Sequence, residues 1–222
     1  MWCIPKVTPE FVERMEDVLD LYARPYDRNE PVICFDEKSK ELRGDARAAA
    51  PTKEGRVRRR DYEYVRNGTA NVFMAVEPKG GYRRASATAR RTRADFAHEI
   101  RRIIRLPRYR RAKAVHVVLD NLNTHDERSL AETFGKEEAA AIMGRIRFHH
   151  TPKHASWLNM AETELSIMER QCTRGRIGDR IALRSRLSAW QRTRNHGGAQ
   201  IRWRFTKEDA RKVFKYDAGK LS

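Results

Sequence analysis

The run Ala114-Val115-His116-Val117-Val118-Leu119-Asp120 is short, apolar and rich in β-branched residues, and it ends in an acid. A strand that is apolar on both faces is typical of a sheet covered by helices. A second such run, Val32-Ile33-Cys34-Phe35, ends at Asp36. Acids at the ends of central strands lie where α/β proteins place their chemistry. The two runs predict an α/β fold with Asp36 and Asp120 as candidate site residues.

Helix and strand patterns surround these two runs. The apolar spacing after Thr8 predicts a helix that Pro25 ends. The segments 70–76 and 82–88, separated by a Pro- and Gly-containing turn, predict a β-hairpin. Further helices are predicted from Thr92 to before Pro107 and over 127–144, 156–174 and 179–195, with a basic loop over 43–60 and a fifth strand over 145–151. The pattern predicts a mixed five-stranded sheet flanked by helices.

A third acid, Glu162, lies in the predicted helix 156–174. Glu164 is two residues further on, and at about 100° per residue the two side chains point roughly 160° apart. Only one of them can therefore face a common site, and helix geometry leaves both open. Three clustered carboxylates could hold divalent cations against phosphates, and their hard oxygen donors suit Mg²⁺ or Mn²⁺.

The composition indicates a polyanionic partner. The 222 residues include 47 Lys and Arg against 30 Asp and Glu, a formal charge of +17. Charge on this scale favours DNA or RNA, although an ordinary solvated arginine surface is the alternative for each basic cluster. Together with the three acids, it predicts a chain that cuts or joins nucleic acid. The candidate phosphate contacts are Arg58, Arg59, Arg60, Arg83, Arg84, Arg90 and Arg91.

Several other classes of protein are disfavoured. The hydrophobic content of 40% suits one domain with a proper core. Three cysteines without Cys-x-x-Cys spacing indicate neither a disulfide framework nor a zinc site. No apolar run approaches the roughly 18 residues of a membrane span, and the first residues do not form a signal peptide pattern. We expect a cytoplasmic protein without a membrane partner.

Four strings carry a specific family resemblance. They are Cys-Phe-Asp-Glu at 34–37, Asp-Tyr-Glu-Tyr-Val-Arg-Asn-Gly-Thr at 61–69, Asp-Asn-Leu-Asn-Thr-His at 120–125 and Thr-Pro-Lys-His-Ala-Ser-Trp-Leu-Asn-Met-Ala-Glu at 151–162. These strings resemble bacterial insertion-sequence transposases related to mariner elements. The order of elements, with acids after the first and fourth strands and on a later helix, is also that of the ribonuclease H-like fold. The resemblance extends over nearly the whole chain.

The resemblance implies a DDE triad of Asp36, Asp120 and Glu162, which would be both the catalytic residues and the ligands of two Mg²⁺ or Mn²⁺ ions. It favours Glu162 over Glu164. The implied activity is transposase: two-metal phosphoryl transfer that cleaves transposon ends and joins them to target DNA, with ions about 3.5–4 Å apart. The implied partners are double-stranded DNA and a second copy of the chain. The implied location is the bacterial cytoplasm, at the nucleoid.

Residues next to the acids have alternative interpretations. Glu37 should point to the opposite sheet face from Asp36, where it is solvent-facing or ion-paired. Asn121 positions the loop or a metal-bound water, or simply forms a turn, and Asn159 lies near the edge that Glu162 faces. His125 is expected to be a helix-start or structural residue rather than a metal ligand. Trp157 is expected to pack in the core rather than contact a base.

The predicted organisation is an N-terminal helical segment (1–31), a ribonuclease H-like catalytic domain (32–196) and a C-terminal helical tail (197–222). Relatives of this type carry helix-turn-helix modules ahead of the catalytic domain, and the 31 residues before the first strand leave no room for a pair of them. Two other functions stay open. One is a truncated, noncatalytic DNA-binding regulator of transposition, and the other is a stand-alone ribonuclease H-like nuclease.

Overall fold

Five strands form one mixed sheet in the computed structural model, which describes residues 7–47, 55, 62–122 and 125–216. The sheet order is β3-β2-β1-β4-β5. Strand β1 is antiparallel to β2, and β2 to β3, whereas β4 runs parallel to both β1 and β5. The strands are β1 (Val32–Asp45), β2 (Tyr64–Glu77), β3 (Tyr82–Thr88), β4 (Val115–Leu119) and β5 (Ile146–His150). The predicted five-stranded mixed sheet is confirmed.

Seven α-helices accompany the sheet in the described part of the chain. They are α1 (Pro9–Ala23), α2 (Arg93–Ile104), α3 (Glu127–Phe134), α4 (Lys136–Met143), α5 (Met160–Met168), α6 (Arg180–His196) and α7 (Lys207–Phe214). A 3₁₀ turn (Ser156–Leu158) precedes α5, and a π-helical turn (Glu169–Thr173) follows it. None of these helices is long and apolar enough to cross a bilayer.

Two predicted helices are divided in the structure. The helix predicted over 127–144 is α3 followed by α4, because Gly135 between them has φ of 82°, a left-handed conformation that interrupts a helix. The helix predicted over 156–174 is interrupted at Asn159, whose backbone is extended, so that α5 begins afresh at Met160. The single-helix predictions for these two segments were wrong.

The hairpin of β1 and β2 extends well beyond the rest of the sheet. Strand β1 continues to Asp45, which pairs with Tyr64, so the predicted loop does not begin at residue 43 and Asp36 lies within a strand rather than at its end. Tertiary contacts hold this extension. Leu42 is buried in the cluster that contains Ile177, and the Arg43 N–H donates to the Ile177 carbonyl at 2.8 Å. Residues 48–54 and 56–60 of the predicted loop lie outside the described residues.

Helices cover both faces of the sheet. Ile33, Phe35 and Val117 face the core formed with α2, α3 and α4. Cys34 and Val118, one residue along each strand, face the core formed with α1 and the start of α5. Because successive strand residues point to opposite faces, Asp36 lies on the α1 and α5 side and Glu37 on the α2 side. The predicted burial of β4 on both faces is confirmed.

Aromatic residues join the two ends of the chain to the α5 side of the sheet. The Trp157 ring lies 6.2 Å from Trp203, 5.3 Å from Phe205 and 6.3 Å from Phe214, measured between ring centroids. Phe214, in α7, also contacts Phe11 of α1 at 5.6 Å. The prediction that Trp157 packs rather than contacts a base agrees with this cluster.

Candidate active site

The pairing of β1 with β4 brings the two aspartates together. The parallel register pairs Val32 with His116 and Cys34 with Val118, and Asp36 and Asp120 each come two residues after the last pair. Asp120 follows the last residue of β4, so the loop after that strand carries it. The two carboxylates predicted from separate apolar runs are therefore neighbours at one edge of the paired region.

The ionisation of Asp36 reflects this crowding. Burial raises the pKa of Asp36, and the negative charges of Asp120, Glu37 and Glu162 raise it further. The Glu37 N–H donates to Asp36 Oδ1 at 2.7 Å and opposes the shift, which leaves the pKa at about 7. Asp120 and Glu162 both act on Asp36, which indicates that the three predicted acids form one cluster.

Asn159 attaches the start of α5 to the strand that carries Asp36. Its Oδ1 accepts from the Ala161 N–H at 3.1 Å as the N-cap of α5, and its Nδ2 donates to the Phe35 carbonyl at 2.8 Å. The side chain is buried. Glu162 lies in the first turn of α5, where the positive end of the helix dipole stabilises a carboxylate. Asn159 thus ties the first turn of α5, which carries Glu162, to β1.

Glu164 faces away from the cluster. It is fully buried, with Oε1 2.9 Å from Arg83 Nε, and it accepts two hydrogen bonds of 3.1 Å from Arg194. Both carboxylate oxygens are thus held by guanidinium groups. Glu162 is partly exposed. Helix α5 therefore presents Glu162, and not Glu164, to the aspartates.

His125 links the two faces of the site. Its Nδ1 lies 2.5 Å from Asp120 Oδ1, and its Nε2 lies 3.1 Å from Glu37 Oε2. Burial lowers the pKa of His125, but the contacts with Asp120 and Glu37 outweigh burial and raise the pKa to about 9. The structural role expected for His125 stays a prediction, and the sequence did not indicate that it contacts a site acid. The only signal was its place five residues after Asp120.

Glu37 is ion-paired rather than solvent-facing. Its side chain is only 3% exposed, and Oε1 lies 3.6 Å from Arg91 Nη1. Asn121 is exposed directly after Asp120. The two roles expected for Asn121, positioning the loop or a metal-bound water and forming a turn, stay predictions.

The acids provide a suitable donor set for a divalent cation. Among the described residues, no group of three His, Cys, Asp or Glu side chains is already arranged around one metal position. Asp36, Asp120 and Glu162 nevertheless offer only carboxylate oxygens, which are the donors that Mg²⁺ and Mn²⁺ prefer. Mutual repulsion among them also contributes to the raised pKa of Asp36. The chemistry of the cluster therefore fits a cation, which would relieve this repulsion.

Arg83 is not a DNA contact. Its side chain is fully buried, and its guanidinium donates to the carbonyls of Gly81, Arg194 and Ala199 at 3.1, 3.2 and 2.6 Å. Arg83 lies on β3, where alternate residues point into the core. The prediction for Arg83 was wrong because a lone arginine in an alternating strand was assigned to the wrong face.

The other predicted phosphate contacts differ in availability. Arg84 is 30% exposed and lies 3.9 Å from Glu99. Arg90 is exposed, and Arg91 is 56% exposed while paired with Glu37. Arg58, Arg59 and Arg60 lie outside the described residues. Arg90 and Arg91 thus remain candidates near the site.

The chain has a ribonuclease H-like fold. This fold combines a mixed sheet in the order β3-β2-β1-β4-β5 with acids on β1, after β4 and on α5. The family model described as DDE superfamily endonuclease matches residues 31–184. The chain belongs to this family. No protein among the curated sequences matches it.

Solved mariner transposase complexes are similar in structure. The Mos1 paired-end complex with Mg superposes with a TM-score of 0.53 at 14% identity, covering 97% of this chain and 65% of that chain. The Mos1 strand transfer complex gives 0.52 at 14% identity (86% and 57%), and the paired-end complex with Mn gives 0.52 at 15% identity (87% and 60%). These similarities show the shared fold. In these three comparisons the chain spans between 57% and 65% of the matched chains.

Proposed function

We propose that residues 32–196 form the catalytic domain of a transposase that cleaves the ends of a DNA element and joins them to target DNA. The observation that supports this proposal is that β1 pairs in parallel with β4 just before Asp36 and Asp120, and that the charges of Asp120 and Glu162 both act on the Asp36 carboxylate. The family match and the fold shared with the Mos1 complexes support it.

The three acids would hold two Mg²⁺ or Mn²⁺ ions, which when bound supply charge stabilisation for phosphoryl transfer and activate the attacking oxygen. Asp36 lies inside β1, where it pairs with Met74 of β2, two residues after the last pair between β1 and β4. Asn159 keeps Glu162 close to β1. Glu164 holds the other face of α5 through its buried ion pairs, so that α5 cannot rotate freely. These contacts hold the elements that carry Asp36 and Glu162, and a cation would draw the carboxylates together.

Basic residues on β1 and after α5 suit a DNA backbone. Lys38 lies two residues after Asp36 on the same sheet face and pairs with Glu169. Arg170 and Arg174, at and after the π-helical turn that follows α5, are exposed. Cations in such positions attract phosphates without reading sequence. Double-stranded DNA is therefore the proposed substrate. From the sequence resemblance to insertion-sequence transposases, we also propose that the chain acts as a homodimer at the bacterial nucleoid, in the cytoplasm.

Nicking of supercoiled plasmid DNA tests this proposal. The chain should nick in Mn²⁺ and not in chelator, and Asp120→Asn should lower the rate at least roughly a hundredfold, because a charged ligand is worth several kcal/mol in such a site. Asp27→Asn is the matched control, since Asp27 is exposed and bonds only the nearby Asn29 N–H at 2.7 Å among the contacts described. Equal nicking by wild type and Asp120→Asn would refute the assigned site. DNA binding without nicking would favour the noncatalytic regulator.

A further inference from the structure

We propose that His125 is a positioning residue that holds Asp120 by one carboxylate oxygen and leaves the other oxygen directed at the cation site, an inference that rests on the proposed function. Its contact with Asp120 Oδ1 is 2.5 Å. A carboxylate that is already held on one side loses less conformational freedom when it binds a cation. His125 would act through Asp120 and would not touch the cation.

The imidazole ring is itself firmly held. It is 1% exposed, and its centroid lies 4.7 Å from that of Phe96. The backbone N–H of His125 donates to the Leu122 carbonyl at 2.9 Å, and the His125 carbonyl accepts from His150 Nε2 at 2.9 Å. The ring therefore cannot turn without breaking packing on both sides. A rigid donor is what a positioning role requires.

The second ring nitrogen joins Asp120 to the neighbouring strand. Nε2 lies 3.1 Å from Glu37, the residue that follows Asp36 in β1. The imidazole of His125 thus connects β1 to the loop after β4. It does so on the α2 side of the sheet, whereas Asp36 lies on the other side. The parallel pairing of β1 with β4 covers only Val32–Cys34 of β1, so the ladder of hydrogen bonds does not reach residues 36 and 120. His125 replaces that ladder and maintains the separation of Asp36 from Asp120.

The rank order of two substitutions distinguishes positioning from packing. His125→Leu fills the buried space but donates no hydrogen bond, whereas His125→Asn keeps an N–H close to the Nδ1 position and packs less well. For Mn²⁺ binding measured by isothermal titration calorimetry, we expect His125→Leu to weaken affinity about ten- to a hundredfold and His125→Asn to recover much of the loss. Thermal unfolding should rank them in the opposite order, because packing favours leucine.

A histidine in a similar setting elsewhere provides the matched control. His149 Nδ1 lies 2.7 Å from Asp17 Oδ2, and the residue is largely buried, but it is on β5 and touches α1. His149→Asn should change stability and leave Mn²⁺ affinity within about twofold of wild type. Glu37→Gln, which removes the charged partner of Nε2, should weaken Mn²⁺ binding in the same direction as His125→Leu. This variant carries the test if His125→Leu does not fold.

The outcomes separate this inference from the proposed function. Wild type that binds Mn²⁺ and nicks DNA, with His125→Leu binding equally well or more tightly, overturns the positioning role alone. If His125→Leu is both more stable and tighter in Mn²⁺ binding than His125→Asn, His125 acts through packing. That result also overturns the positioning role. Wild type that neither binds Mn²⁺ nor nicks overturns the proposed function and this inference together.

Discussion

Replacing Arg83 by leucine should destabilise the fold strongly without altering DNA binding. Arg83 is fully buried between β3, α5 and the end of α6. Its guanidinium neutralises Glu164 and satisfies three backbone carbonyls. Leucine would fill part of the space but leave these groups without a donor. The salt dependence of DNA binding should stay unchanged, because the guanidinium does not reach the surface.

The magnitude follows from the number of groups left without a partner. Removing one member of a buried ion pair costs about 3–5 kcal/mol. Arg194 still donates two hydrogen bonds of 3.1 Å to Glu164, which limits the electrostatic part of the loss. The carbonyls of Gly81 and Ala199 remain buried or partly buried without Arg83 and add to the cost. At about 2–4 °C per kcal/mol for a chain of this size, Tm should fall by roughly 6–20 °C.

Urea unfolding followed by circular dichroism measures this loss. Arg184→Leu is the matched control. Arg184 is exposed on α6, and its Nε donates a 2.9 Å hydrogen bond to the carbonyl of Ala87, which lies on β3 as Arg83 does. Losing this bond should cost at most about 1.5 kcal/mol. In a double-mutant cycle of Arg83→Leu and Glu164→Leu, the free energies of unfolding should show an interaction energy of at least about 1 kcal/mol. A loss below about 1 kcal/mol for Arg83→Leu, or additive single effects, would refute the assignment of a buried ion pair.

Two further predictions concern other contacts. Burial, with the charges of His149 and Arg24, lowers the pKa of His116, so the unfolded chain binds this proton more readily. Keeping His116 neutral stabilises the folded chain fully at pH values above the unfolded pKa of about 6.5. This contribution is lost as the pH falls below about 6.5 towards the lower pKa of the folded state. Urea midpoints between pH 7.5 and 5 should decline less in His116→Gln; parallel declines would contradict this. Asn159→Ala should cost roughly 2–4 kcal/mol, from the lost cap and the orphaned Phe35 carbonyl, and should weaken Mn²⁺ binding. Full stability by thermal unfolding would count against that role.

Elements governed by local chemistry were predictable. The Thr8 hydroxyl accepts from the Phe11 N–H at 3.2 Å and begins α1, and Thr92 forms a capping box with Asp95 at the start of α2. The Pro- and Gly-containing turn joins β2 to β3 where the hairpin was predicted. In each case, residues within a few positions of one another supply the partners. Sequence spacing is sufficient for such features.

Features that depend on distant partners were not predictable in the same way. The continuation of β1 to Asp45 depends on Ile177, and the burial of Arg83 depends on Glu164 and Ala199. These partners lie roughly a hundred residues away in the chain, and the sequence pattern carries no signal for them. Charge alone made Arg83 resemble a surface residue.

The α/β class, the amphipathic helices and the candidate acids Asp36 and Asp120 could be read from the sequence, because period and residue type act locally. The choice of Glu162 over Glu164 came from family resemblance, and the structure supplies its physical reason: Glu164 is occupied by two guanidinium groups. Only the tertiary structure decided that His125 joins Asp120 to Glu37 and that Asn159 attaches α5 to β1. His125 meets Glu37, and Asn159 meets Phe35, because tertiary packing brings together segments that are far apart in the chain, and no local pattern encodes such meetings.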